Sequence, residues 1–175
     1  MPLVKLSKKQ QEIISLLNST EEVLIQKGLS ELKVNGGEEI IPDVLNILIN
    51  SDNELLTEGL KNILFEIKSQ KAVDHIFNIL SLEKSVRHRA FLISIFWQAG
   101  LDASEYLSTL VELAINNDYL TCLECLTVIE NFETEFTEEE IIRNTSILKE
   151  AIAKNEDKAP LLASMHEIIQ NFLIG

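Results

Sequence analysis

The sequence predicts an all-α protein, a short right-handed α-solenoid of about five antiparallel helix hairpins, with an irregular helical bundle as the alternative arrangement. Three observations carry that expectation. Apolar residues recur at i, i+3, i+4 and i+7 along nearly the whole chain, the spacing of a helix that buries one face. Helix-start and helix-stop signals fall between those stripes. A shift of 31 residues then brings three helix pairs into register, and a two-helix unit of that length is the signature of an α-solenoid.

Taken in order, the first stripe is Ile13, Ile14, Leu16 and Leu17, and the second is Val23, Leu24, Gly28, Leu29 and Leu32. Ile41, Val44, Leu45 and Leu48 make the third. Leu56, Leu60, Ile63, Leu64 and Ile67 make the fourth. Strand is the rival for β-branched runs such as Val44 to Ile49, but period-two alternation is absent and the segments are too long. Ser19 with Glu22, Ser51 with Glu54, Asp102 with Glu105 and Thr137 with Glu140 have capping-box spacing. Gly36-Gly37 and Gly100 are stop signals, because glycine adopts the left-handed conformation that ends a helix. Pro160 belongs in the first turn of the last helix, where its missing N–H costs nothing. The result is ten helices, near 7–18, 20–34, 38–50, 53–68, 71–82, 85–99, 103–116, 118–131, 137–155 and 159–173. Their connections are short, so consecutive helices lie antiparallel. The longest polar break runs from Asn131 to Glu140.

In the repeat, Leu45 falls on Ile76 and Leu107, and Leu48 on Ile79 and Leu110. In the second helices Leu55 falls on Val86 and Gly59 on Ala90. Ser51-Asp52-Asn53-Glu54-Leu55 with Gly59-Leu60 resembles the turn and second helix of a HEAT repeat. Lys84-Ser85-Val86-Arg87 with Ala90-Phe91 resembles the same element. The resemblance to HEAT or armadillo-like repeats covers residues 37–131 as three repeats, with 1–36 and 132–175 as capping hairpins of a single domain, 1–175. It implies that Arg87 bonds an aspartate in a neighbouring turn, and Asp52 is within its reach. Tetratricopeptide and ankyrin signatures are absent.

Composition bounds the function. The 175 residues carry 15 Lys and Arg against 28 Asp and Glu, a net charge of −13, while 46% are apolar. That much apolar surface excludes a disordered acidic tail. Ile and Leu together supply 49 residues and aromatics only 6%, which points to an aliphatic core. A pI near 4.6 argues against nucleic acid as a partner, since phosphate contacts need cations. No stretch reaches the length of a membrane span. Lys5, Lys8 and Lys9 precede an apolar run too short for a secretory signal, so the expected location is the cytoplasm.

No motif gives catalysis a foothold. The chain lacks GxSxG, HExxH, Walker and GxGxxG patterns. Cys122 and Cys125 form a CxxC without a second ligand pair, and His75, His88 and His166 lie in separate helices; no metal and no cofactor is expected. The cysteines read as small buried hydrophobes. Ala90 to Trp97 is apolar around nearly its whole circumference, so it reads as a central core helix. Phe96 or Trp97 as an exposed anchor is the alternative. Glu138-Glu139-Glu140 suits the positive end of a helix.

Charge distribution is the most informative polar feature. Residues 90–142 hold eleven acids and no Lys or Arg, and carry −11 of the total. Such a field attracts cations and repels nucleic acid and anionic membranes. The expected function is therefore a non-enzymatic protein–protein interaction module or adaptor. Its acidic face docks a basic segment of a protein partner through Asp118, Glu124, Glu130, Glu133 and Glu135. The alternatives are a self-associating subunit, such as a homodimer joined at a solenoid end, and a solubilising role for the acids. The resemblance also implies one enzymatic branch, the alkylpurine DNA glycosylases. Those need a basic concave face, and this chain has the opposite sign.

Overall fold

A computed structural model describes residues 6–175; Lys5, used above in reading the N-terminus, lies outside them. The described residues are all-helical, with ten α-helices, short 3-10 turns and a single isolated β-bridge between Phe136 and Ile174. The helices are α1 (Lys8–Leu17), α2 (Glu22–Asn35), α3 (Ile41–Asn50), α4 (Glu54–Leu64), α5 (Ala72–Leu80), α6 (Arg89–Ala99), α7 (Leu107–Asn116), α8 (Tyr119–Glu130), α9 (Glu138–Ile152) and α10 (Ala159–Gln170). None of them is long and apolar enough to cross a membrane.

Ten helices were expected, and each starts or stops within a few residues of its expected bounds. The differences have local causes. The expected 53–68 helix ends at Leu64, because Glu66 and Ile67 switch to bonds with the carbonyls three residues back, Ile63 and Leu64. The expected 85–99 helix opens as a 3-10 turn, Glu83–His88, before α6 begins.

The caps need a larger correction. Thr137 and Glu140 form the expected box: Thr137 Oγ1 accepts from Glu140 N–H at 3.2 Å, and Glu140 Oε2 accepts from Thr137 N–H at 2.9 Å. The other three do not. Ser19, Ser51 and Asp102 each accept from the N–H two residues on, of Glu21, Asn53 and Ser104. A short side chain satisfies its own turn first, and the helix starts later. Asn53 instead caps α4, accepting from Leu56 N–H at 3.0 Å. Ser7 and Gln10 form an unforeseen box on α1. The glycine stops are present, with φ +71° at Gly37 and +69° at Gly100. Pro160 lies in the first turn of α10.

The chain divides into two compact units, the first ending at His88 and the second running Arg89–Gly175. In the first, α1 pairs with α2 and α3 with α4, while α3 also packs on α1 and α5, and α2 on α4. Its core includes Ile13, Leu17, Ile25, Leu45, Leu48, Leu60 and Ile76. Each such side chain contributes about 1.5–3 kcal/mol when fully removed from water. One stripe is corrected here. Val23 is 75% exposed and Ile25 is buried in its place, while Gly28 and Leu32 are buried as expected.

In the second unit, α7 pairs with α8 and α9 with α10, α7 also packs on α9, and α8 lies between α6 and α10. Leu92, Ile93, Ile95 and Phe96 of α6 are buried, as expected for a central helix. Trp97 is not: it stands 42% exposed. Of the two repeat pairs in the second helices, Gly59 and Ala90 are both half-buried in helices, but Leu55 and Val86 diverge. Leu55 is half-buried in α4, whereas Val86 sits in the 3-10 turn and is 53% exposed.

Candidate functional site

The acidic stretch lies wholly in the second unit, which has fifteen acidic and five basic residues, a net charge of −10. Its five candidate carboxylates do not form one cluster. Asp118 is the N-cap of α8 and accepts from Thr121 N–H at 2.8 Å. Those bonds from Thr121 hold its carboxyl below the ordinary value, and the Lys158 and Arg89 charges add to the effect. Glu130 ends the same helix, so it stands about 18 Å further along the axis. Asp118 is therefore already committed to a helix terminus, at the opposite end from the other acids.

The remaining four gather towards the C-terminal half of α8 and the loop after it. Glu124 is half-exposed, and its Oε2 accepts from the Trp97 indole N–H at 2.8 Å. Glu130, Glu133 and Glu135 are exposed. Glu133 lines two adjoining grooves. The first, about 480 Å³, is walled by Trp97, Leu101, Val128 and Phe132, with Asp102 and Glu133 at its polar side. The second, about 560 Å³, runs past Glu133, Glu135, Glu140 and Gly175.

The loop that carries Glu133 and Glu135 is anchored at its ends. Phe132, Phe136 and Phe172 form an aromatic cluster, with Phe136 and Phe172 stacked at 4.7 Å between ring centroids. Phe136 N–H donates to Leu173 O at 2.9 Å, and Gly175 N–H donates to Phe136 O at 3.2 Å. Two phenylalanines within an otherwise polar break were the available signal for this anchoring, and the sequence reading passed over it.

Sequence reasoning also missed Lys158. It is only 8% exposed, and its Nζ donates to the carbonyl oxygens of Ala114, Ile115 and Asn117 at 2.9, 2.7 and 2.6 Å. Arg89 donates to Asn117 Oδ1 beside it. These cations close the C-terminal end of α7, away from the grooves.

Cys122 and Cys125 are free and buried in α8, and burial pushes both thiols up, Cys125 furthest. That makes them poor nucleophiles. His75, His88 and His166 lie apart, on α5, at the end of the 3-10 turn and on α10. Among the described residues no three His, Cys, Asp or Glu side chains are grouped to hold a metal ion. Arg87 donates to Asp52 Oδ1 at 2.6 Å and to Ser51 O at 3.0 Å, the contact that the repeat resemblance implied. No model of a known protein family matches this chain, and neither a curated protein nor a solved structure is similar to it.

Proposed function

We propose that the protein is a non-enzymatic interaction module whose acidic surface docks a basic segment of a protein partner. The carrying observation is the second unit's one-signed surface: Glu130, Glu133 and Glu135 stand exposed, the last two lining grooves, within a stretch of 53 residues that has no Lys or Arg. A surface of that kind raises the local concentration of cationic ligands and speeds their capture. The anchored loop supports the reading, because side chains held in place lose less entropy on binding.

The proposed architecture is a short right-handed α-solenoid of five hairpins, HEAT-like in its turns. Support comes from each unit by itself. Packing alternates, α1 on α3 and α2 on α4 in the first, α7 on α9 and α8 on α10 in the second, as stacked hairpins require. The cytoplasm is the proposed location.

Binding of labelled peptides tests the function. Fluorescence anisotropy with a basic, a neutral and an acidic peptide should give saturable binding of the basic one alone, weakening as salt rises. Charge reversal at three positions, Glu130→Lys, Glu133→Lys and Glu135→Lys together, should abolish it. Binding that is indifferent to both salt and charge reversal would remove the electrostatic basis.

A further inference from the structure

We infer that the groove between the C-terminal ends of α6 and α8 is a receptor for one arginine side chain of that basic segment. The inference rests on the reading above and adds to it a particular place and a particular residue.

Backbone electrostatics comes first. Helices α6 and α8 pack on one another, and the residues that follow each of them, Gly100 and Leu101 after α6, Asn131 and Phe132 after α8, line the same groove. The two helices therefore present the same end to it. A helix C-terminus carries the equivalent of about half a negative charge, so two such ends converge here. Asp102 and Glu133 add carboxylates, and no Lys or Arg contributes to the lining. The formal charges in the lining, Asp102 and Glu133, both favour a cation.

The walls narrow the choice of cation. Trp97 and Phe132 supply aromatic surface. The Trp97 N–H is held by the Glu124 carboxylate at 2.8 Å, which fixes the indole and adds electron density to its ring. A bare divalent ion gains little from such walls and needs several oxygen ligands grouped together, which the described residues do not provide. A lysine ammonium is compact and strongly hydrated, and enters a half-apolar groove at a cost. Guanidinium is planar and weakly hydrated; it stacks on aromatic faces while its edge donates two parallel bonds to a carboxylate. Glu133 supplies the acceptor and the aromatic wall supplies the face, while Asp102, whose Oδ1 already accepts from Ser104 N–H, adds negative charge. A groove of about 480 Å³ holds the side chain together with a short piece of its backbone.

Trp97 is the only tryptophan of the chain, so indole emission reports from the groove itself. The full-length protein is titrated with tetra-arginine and tetra-lysine peptides of equal charge, and anisotropy of a labelled copy measures total binding in parallel. The expected result is a saturable change in Trp97 emission and a preference for arginine of about threefold or more. Glu133→Gln and Asp102→Asn should each weaken the arginine peptide by about threefold or more. Glu112→Gln, which removes an equal charge on α7 outside the groove, should leave it within about a factor of two. Glu133 is exposed, so its variant tests the site even if the Asp102 variant folds poorly.

Two outcomes overturn the inference while the wider reading survives. One is binding by anisotropy with Trp97 emission unchanged. The other is equal affinity for arginine and lysine with no effect of Glu133→Gln. Absence of binding by either peptide removes both readings.

Discussion

Lys158 Nζ donates to the carbonyl of Asn117 at 2.6 Å, and the same ammonium reaches Ala114 and Ile115. One buried lysine thus closes the end of α7, where the last carbonyls of a helix have no partner of their own. Hydrogen bonds from a charged donor are worth more than neutral ones, and removing the donor strands three acceptors. We predict that Lys158→Met lowers stability by about 2–4 kcal/mol. Lys158→Arg should also destabilise, because a planar fork does not reproduce a three-way donor. Urea unfolding monitored by Trp97 emission checks both.

Arg87 and Asp52 make a shorter-looking bargain. Their contact is 2.6 Å, but the side chains are 52% and 86% exposed. Water competes for both partners, and exposed pairs contribute little. A double-mutant cycle with Arg87→Ala and Asp52→Ala should give a coupling of about 1 kcal/mol or less. A coupling of several kcal/mol would mean that this contact is a structural keystone of the first unit.

The contrast between these two cations explains what the residue order discloses. Periodicity reports which face a helix buries, so the ten helices and cores such as Leu45, Leu48, Ile76 and Leu110 were legible. Only the start of the α2 stripe slipped, because Val23, Leu24 and Ile25 are all apolar and packing decides which turns inward. The caps slipped because a capping box and an i+2 turn use the same residue types, as Ser19 and Ser51 demonstrate. Arg87 was visible through its local motif. Lys158 was not, since its partners lie more than 40 residues away and are backbone atoms, which carry no residue signature. At the candidate site the charge run was plain. What the sequence could not supply was its partition: Asp118 is spent on a cap, and Glu133 shares a groove with Trp97 only through the packing of α6 on α8.

Gly100 separates backbone conformation from packing. Its φ is +69°, and a Cβ placed there meets nothing within 4 Å. Gly100→Ala should therefore cost about 1–2 kcal/mol from the left-handed conformation alone. Gly100→Asn should cost less, because asparagine visits that region more readily. A loss with alanine well above 2 kcal/mol in urea unfolding would point to a steric contact that the structure does not contain.

His88 makes stability depend on pH in a definite direction. Its ring is buried, and Nε2 accepts from Arg87 Nε–H at 3.1 Å, which only the neutral ring can do. Burial holds its pKa below the ordinary value, the Arg87 and Lys61 charges push the same way, and Asp52 opposes them. The unfolded chain therefore takes up a proton before the folded one does. Stability from this group is complete above the ordinary histidine value of about 6.5 and is lost as the pH falls from there through the folded value. Urea midpoints measured at about pH 7.5 and about pH 5.5 should differ for the wild type. His88→Gln, whose amide oxygen can still accept from Arg87, should reduce that difference. An unaltered pH dependence in the His88 variant would assign the effect to another group.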